Sequence, residues 1–389
     1  MNELFLLKKY FGHVETQQDE HITEYKAFLQ NLVESADPTD ELPVRVPPFR
    51  FSSLEIPGAV INWAKQYLEA RNCPAAILTP LIRKVFKSVF ESSEDVVDAS
   101  QPLNSMIFIF PFPAIKFSQS VIKQLVKVCE EYSLNDDLLR ELPPPAELSF
   151  PVSKHAFKNS RRTMEDRFCV VEDLNGLFGL KDPGSISFYA VYDGHAGIDA
   201  AEYSAAYLHQ YLTESPNYPH DLKAALRDAF LKTDECVLQI PRSSGTTAVC
   251  AVVDHQDSML HVAWAGDSEA VISMNGKAMQ LVNPHRASRP DEVERVTKAG
   301  GEVLYYDMCW RIKGRLAVSR AIGDKSCKPH VCADPDFNSV ALDGTEEFLI
   351  LGSDGLWDAL SPDVAVKNIL IDLLNGKGKM HAPLLKFSQ

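Results

Sequence analysis

The 389-residue sequence has no CxxC pair, no regular cysteine spacing and no surplus of basic charge. Its eight cysteines are scattered. A disulfide framework or a zinc module needs them grouped, so the expectation is reduced, buried thiols in a cytoplasmic or nuclear protein. Cys327, His330 and Cys332 come closest to a cluster, but their spacing is wrong for structural zinc and no second half follows. A formal charge of −14 argues against nucleic acid or an anionic membrane as the main partner, because both call for a basic face. No apolar run approaches the roughly 18 residues of a spanning helix. The opening MNELFLLKKYFGHVETQQDE has only a brief apolar stretch before charges, unlike a signal peptide. There is no EF-hand loop, and NGKGKM at 375–380 lacks the GxxxxGK[ST] spacing of a phosphate loop. What remains is an ordinary soluble composition, 45% apolar and 24% charged, long enough for two or three domains.

Two grammars divide the chain near Pro143–Pro145, giving a helical region over 1–145 and a second domain over 146–389. In the first, Leu81, Val85 and Val89, with Ile82, Phe86 and Phe90, repeat at the spacing of an apolar helix face. Val121, Leu125 and Cys129 do the same, and Pro-rich connectors (DPTDELPVRVPPFRF, FPFPAIKF) separate the helices. No catalytic constellation occurs there, so a helical bundle that supports the second domain or docks a protein partner is expected. The second region reads as short apolar strands: SISFYAVYDG, TTAVCAVVD, MLHVAWAGDS, EAVISM, KAMQLV and EEFLILGSDG. Asn275-Gly276 between two of them predicts a type I′ hairpin. Helices are expected at IDAAEYSAAYLHQYL, at PDEVERVTKAGG and at SPDVAVKNILIDLL. Hairpin strands with inserted helices predict an α+β layered fold rather than a parallel βαβ sheet.

Three of these strands run into an aspartate beside a glycine: Tyr192-Asp193-Gly194, Gly266-Asp267 and Ser353-Asp354-Gly355. Glu165 and Asp166 stand just before another strand, FCVVEDL. One Asp-Gly reads as a turn. Three of them, with an acidic pair, would place several carboxylates at one sheet edge, where they repel one another unless cations intervene. Oxygen-only ligands select hard ions such as Mg²⁺ or Mn²⁺.

The words around those acids resemble the metal-dependent protein phosphatases, the PPM or type 2C family, in family order from about residue 150 to 360. They are RRTMED, YAVYDGHAG, SGTTAV, WAGDSEAV, NPHRASRPDEVERVTKAGG, RLAVSRAIGD and GSDGLWD. NSRRTMEDRF, HVAWAGDS and CWRIKGRLAVSRAIGD are most similar to the calcium/calmodulin-dependent protein kinase phosphatase branch and to a nematode sex-determination phosphatase. The resemblance implies a helix–sheet–sheet–helix sandwich behind a helical extension. It also implies hydrolysis of phosphoserine and phosphothreonine on proteins by a water activated between two Mn²⁺ or Mg²⁺ ions. Phosphoproteins, a protein kinase among them, would be the substrates.

Residue by residue, the resemblance makes Asp193 the bridging carboxylate and the Gly194 carbonyl a ligand of the second metal. Asp354 would bind the first metal, and Glu165 and Asp166 would act directly or through water. Asp267 and Asp358 would hold a weaker third ion. Arg161 would clamp the substrate phosphate, and His195 would protonate the leaving oxygen. His155, His209, His255, His285 and His330 are expected to be structural. The segment from Trp310 to about Phe337 corresponds to a flap beside the site. Ala196 replaces a usual glycine, a minor loss of backbone freedom, and Glu269 stands where arginine or glutamine is commoner, which would weaken an acidic contact at the edge of the site. Family domains continue to a final helix, an Asp-Asn turn with another metal ligand, and a last strand. No Asp-Asn follows Asp358 here. A splice form, a truncated gene model and an impaired, binding-only phosphatase are the three explanations that this leaves.

Overall fold

A computed structural model describes residues 3–8, 20–36, 55–91, 114–143, 152–180, 185–241 and 243–374. The Pro-rich connectors at 37–54 and 110–113, Pro144, Pro145 and the NGKGKM segment lie outside the described residues. The chain divides into two compact units. One comprises residues 12–147 with 173–183; the other comprises 1–11, 148–172 and 184–389.

The helical unit contains α1 (Glu20–Ser35), α2 (Ile56–Glu69), α3 (Ala75–Glu91), α4 (Ala114–Leu134), α5 (Asp136–Glu141) and α6 (Leu174–Phe178). Leu81, Ile82 and Val85 of α3 and Val121, Ile122, Leu125 and Cys129 of α4 are all buried, as their spacing requires. Asn135 caps α5 by accepting from the backbone N–H groups of Asp137 and Leu138. The short α6 is capped by Asp173, which accepts from Gly176 N at 2.8 Å. Its residues fall beyond the break at 145, so this unit is not continuous in sequence.

The other unit is built on antiparallel pairs. Its strands are β1 (Glu3–Lys8), β2 (Val152–Ala156), β3 (Arg167–Val171), β4 (Ile186–Tyr192), β5 (Gly194–His195), β6 (Gly245–Thr246), β7 (Ala248–Asp254) and β8 (Met259–Ala265). They continue as β9 (Glu269–Met274), β10 (Lys277–Gln280), β11 (Val303–Tyr306), β12 (Cys309–Ile312), β13 (Ile322–Gly323), β14 (Asp336–Ala341) and β15 (Glu346–Gly352). Its helices are α7 (Asp199–Glu214), α8 (Leu222–Val237), α9 (Pro290–Lys298), α10 (Asp354–Trp357) and α11 (Pro362–Leu374). One five-stranded sheet runs β10-β9-β15-β1-β2 and the other β14-β8-β7-β4-β3. A small third sheet, β13-β6-β5, lies among the loops.

Period-two alternation explains the layering. In β9, Ala270 and Ile272 join Leu349 and Leu351 of β15 in a core shared with Val249, Ala251, Val262 and Trp264 of the second sheet. The alternate residues Val271, Phe348 and Ile350 face outward onto Leu356, Trp357, Ala365 and Val366 of α10 and α11. All seven residues of β4 are buried, because α7 covers the face turned away from the other sheet. Each such large apolar side chain contributes roughly 1.5–3 kcal/mol by leaving water. The hairpin at Asn275-Gly276 has φ of 51° and 74°, the positive pair that a type I′ turn requires.

One element departs from the helical reading of the first 145 residues. β1 is a strand, paired antiparallel with both β15 and β2. Its run ELFLLK is too short to carry a period of its own. No helix among the described residues is long and apolar enough to cross a membrane.

Candidate functional site

Antiparallel pairing gathers the acids at one end of the two sheets. Arg167 opposite Tyr192 in the β3–β4 register sets Asp166 beside Asp193. Gly352 opposite Glu269 in the β15–β9 register brings the turn that carries Asp354 towards the one that carries Asp267. The turns are pinned by side chains that bond to their backbone. Arg167 Nη1 donates to the carbonyls of Met164 and Asp166, which fixes the acidic pair. Gly266 has φ of +114°, and its N–H donates to Nδ1 of the buried His285, 3.2 Å away. Burial holds the His285 pKa down against the pull of Asp336, so its ring stays neutral and can accept that bond.

The result is a cleft of about 640 Å³. Arg161, Glu165, Asp166, Asp193, Gly194, His195, Asp267 and Asp354 all line it. Glu165 accepts from Thr163 Oγ1 at 2.9 Å, and Asp166 accepts from Ser353 Oγ at 3.1 Å. Burial, followed by the charges of Asp166, Asp354 and Asp267, pushes Asp193 well above the ordinary carboxylate range. Burial and Asp354 push Asp267 up to about 7, with Arg286 pulling the other way. Asp358 lies outside the cleft lining, exposed and paired with Arg286 at 2.9 Å.

These carboxylates are the donor set that a hard divalent cation needs, and such an ion would relieve their mutual repulsion. Gly194 fits the same role, since an added Cβ would press on the Glu165 carbonyl and close the backbone approach. Among the described residues no three of these side chains already enclose one point.

Five other histidines stand away from the cleft lining. His209 packs on Phe188 and Cys169, His255 meets Ser187 Oγ at 2.7 Å, and His155 stacks near Phe157. His285 and His330 are buried, and Cys327 and Cys332 are free thiols. Glu269 is a correction. It is buried against Gln280 across the β9–β10 pair, outside the residues that line the cleft. Ala196 is a second one. Its φ of 57° lies in the left-handed region, so the missing glycine costs roughly 1–2 kcal/mol, more than a small loss of freedom. Sequence reasoning also passed over Asp324, whose Oδ2 stands 2.7 Å from His195 Nε2. The signal was present in AIGD, an aspartate beside a glycine like the other three.

A family model described as Protein phosphatase 2C matches residues 150–380. Human Protein phosphatase 1E is 37% identical over 333 residues, covering 85% of this chain and 43% of that protein. Human Protein phosphatase 1F is 35% identical over 349 residues, covering 85% of this chain and 75% of that one. The chain thus spans less than half the length of the first relative and three-quarters of the second. A solved structure titled as a C. elegans sex determining protein superposes with a TM-score of 0.74. It covers 90% of this chain and 85% of its own at 20% identity, a likeness of fold. A serine-threonine phosphatase 2C from Toxoplasma gondii gives a TM-score of 0.50 at 25% identity over 56% of this chain and 81% of its own.

Proposed function

The chain belongs to the protein phosphatase 2C family, and we propose that it hydrolyses phosphoserine and phosphothreonine esters of proteins with Mn²⁺ or Mg²⁺ as cofactor. The observation that carries this reading is the meeting of Asp166, Asp193, Asp267 and Asp354 with Arg161 and His195 in one cleft. Asp193, the Gly194 carbonyl, Glu165, Asp166 and Asp354 would hold two ions, and Asp267 with Asp358 a weaker third. When bound, the ions offset the carboxylate charge, draw in the phosphoryl oxygens and make water a competent nucleophile near neutral pH. Arg161 presents a planar fork to two phosphoryl oxygens, which orients phosphorus for in-line attack. His195 gives its proton to the seryl or threonyl oxygen as the P–O bond breaks, leaving a free hydroxyl and inorganic phosphate. The substrates in this reading are phosphoproteins, a protein kinase among them, and the helical unit docks a protein partner.

The test is turnover of a phosphothreonine peptide by the full chain. Turnover should require Mn²⁺ or Mg²⁺, fall to background in EDTA and fall at least 100-fold in Asp193→Ala. Folded protein that retains the peptide without turning it over would replace this reading with that of a phosphoprotein-binding module.

A further inference from the structure

We propose that Asp324 is the positioning residue of His195, holding its ring so that one nitrogen faces the leaving oxygen. The inference rests on the reading of His195 as the general acid.

The geometry is unusual for residues 129 positions apart. His195 pairs with Gly245 between β5 and β6, and Gly245 pairs with Gly323 between β6 and β13. His195 and Gly323 are therefore two strands apart, with Gly245 in the middle strand between them. Asp324, the next residue, reaches back over Gly245 to place Oδ2 2.7 Å from His195 Nε2. A Cβ on Gly245 would overlap both of those atoms. The bond passes through a gap that only glycine leaves open.

Asp324 is held for this purpose. Its φ of 53° and ψ of 48° are left-handed, a conformation that a non-glycine residue keeps only when its surroundings impose it. Its N–H donates to Ser244 O at 3.0 Å, and its carbonyl accepts from Cys327 N at 2.8 Å. The N–H of Gly323 donates to Asp234 Oδ1 at 2.7 Å, and Lys328 Nζ stands 2.8 Å from the same oxygen. Gly323 itself, at φ +90°, has no room for a side chain against the Ser244 carbonyl. The carboxylate is nearly buried, whereas the His195 ring is open to the cleft.

A carboxylate accepts only, so His195 Nε2 carries the hydrogen in this bond. Nδ1 is left as the nitrogen that meets the substrate. An ester oxygen of serine or threonine needs a proton to leave, whereas a nitrophenolate does not. Losing the partner of His195 should therefore hurt in proportion to the demand for that proton.

The experiment compares full-length Asp324→Ala, Asp324→Asn and His195→Ala on a phosphothreonine peptide and on p-nitrophenyl phosphate. The expected loss for Asp324→Ala is at least 10-fold greater on the peptide than on the aryl ester, with no further differential loss when His195→Ala is added. Asp324→Asn, which keeps an acceptor oxygen, should recover part of it. Equal losses on both substrates, or a loss that adds to that of His195→Ala, would overturn the proposal. If His195→Ala itself shows no preference between the substrates, the general-acid reading fails first and takes this one with it. Nitrogen-15 NMR of the neutral His195 ring gives a readout independent of turnover. The Nε2–H tautomer should dominate in the wild type and lose that dominance in Asp324→Ala; an Nδ1–H tautomer in the wild type would sink the idea.

Discussion

At the scale of single residues, the cleft stores a conflict that should be measurable without any substrate. A carboxyl whose folded-state pKa is raised contributes stability below its ordinary pKa near 4 and loses it as pH rises through the folded value. Asp267, pushed up to about 7, and Asp193, raised by burial and by its acidic neighbours, put that loss between about pH 4 and 7. The metal-free protein is therefore expected to melt at a lower temperature at pH 8 than this contribution allows at pH 5. Mn²⁺ should restore it, with affinity rising across the same window because the ion displaces protons. Asp193→Asn should raise the melting temperature in EDTA at pH 8 by on the order of 2–4 °C, equivalent to about 1 kcal/mol, while removing activity. A lower melting temperature for that variant would mean the carboxylate is not under repulsion. Ala196→Gly relieves a different strain, and because glycine's extra freedom in the unfolded chain offsets part of it, a net gain of up to about 1 kcal/mol in a denaturant melt is expected.

At the scale of elements, α9 is tied to the cleft wall by charge. Burial pushes the Glu292 carboxyl up, but hydrogen bonds from Arg320, Arg295 and Ser319 outweigh it and hold the pKa at about 2. Arg320 also meets Asp336 on β14 at 2.9 Å. Removing one member leaves buried charges unanswered, so Glu292→Gln is expected to cost on the order of 3–5 kcal/mol at neutral pH. Because this pKa is depressed, the difference from the wild type should shrink as pH falls from about 4.5 towards 2. A difference that persists at low pH would assign the loss to packing instead. Elements with a local signature were legible beforehand. β4 is a strand whose last five residues, Phe188–Tyr192, form an apolar and aromatic run that ends at Asp193, and Asn275-Gly276 needs only its two neighbours to be read as a turn. The two-residue strands β5, β6 and β13 have no period to detect, and they are what joins His195 to Asp324. Neither residue's side chain advertises the other. α8 went unread, although Asp221 caps it through Ala224 N at 3.0 Å. Glu269 misled because its partner, Gln280, is set by strand register rather than by the Gly-Asp-Ser word beside it.

At the scale of the molecule, the sheet unit is assembled from distant parts of the chain. β1 fills the place between β15 and β2, so without it two strands lose a partner along their lengths. Deleting residues 1–11 should therefore remove hydrogen-exchange protection from Phe348–Gly352 and lower soluble yield by baring strand edges. Unchanged protection there would mean that β1 adds nothing to the sheet. The domain division expected at residue 145 follows composition, and composition does not register that a strand far upstream belongs downstream.

This placement of β1 sets an order of events during synthesis. Residue 8 leaves the ribosome 344 residues before Gly352, the end of the strand it must pair with. At about 5–20 residues per second, that is roughly 17–70 s during which ELFLLK has no sheet to join. The helical segments between can collapse in a small fraction of that time. The nascent chain thus carries this apolar segment unpaired, a ready substrate for chaperones until β15 is made.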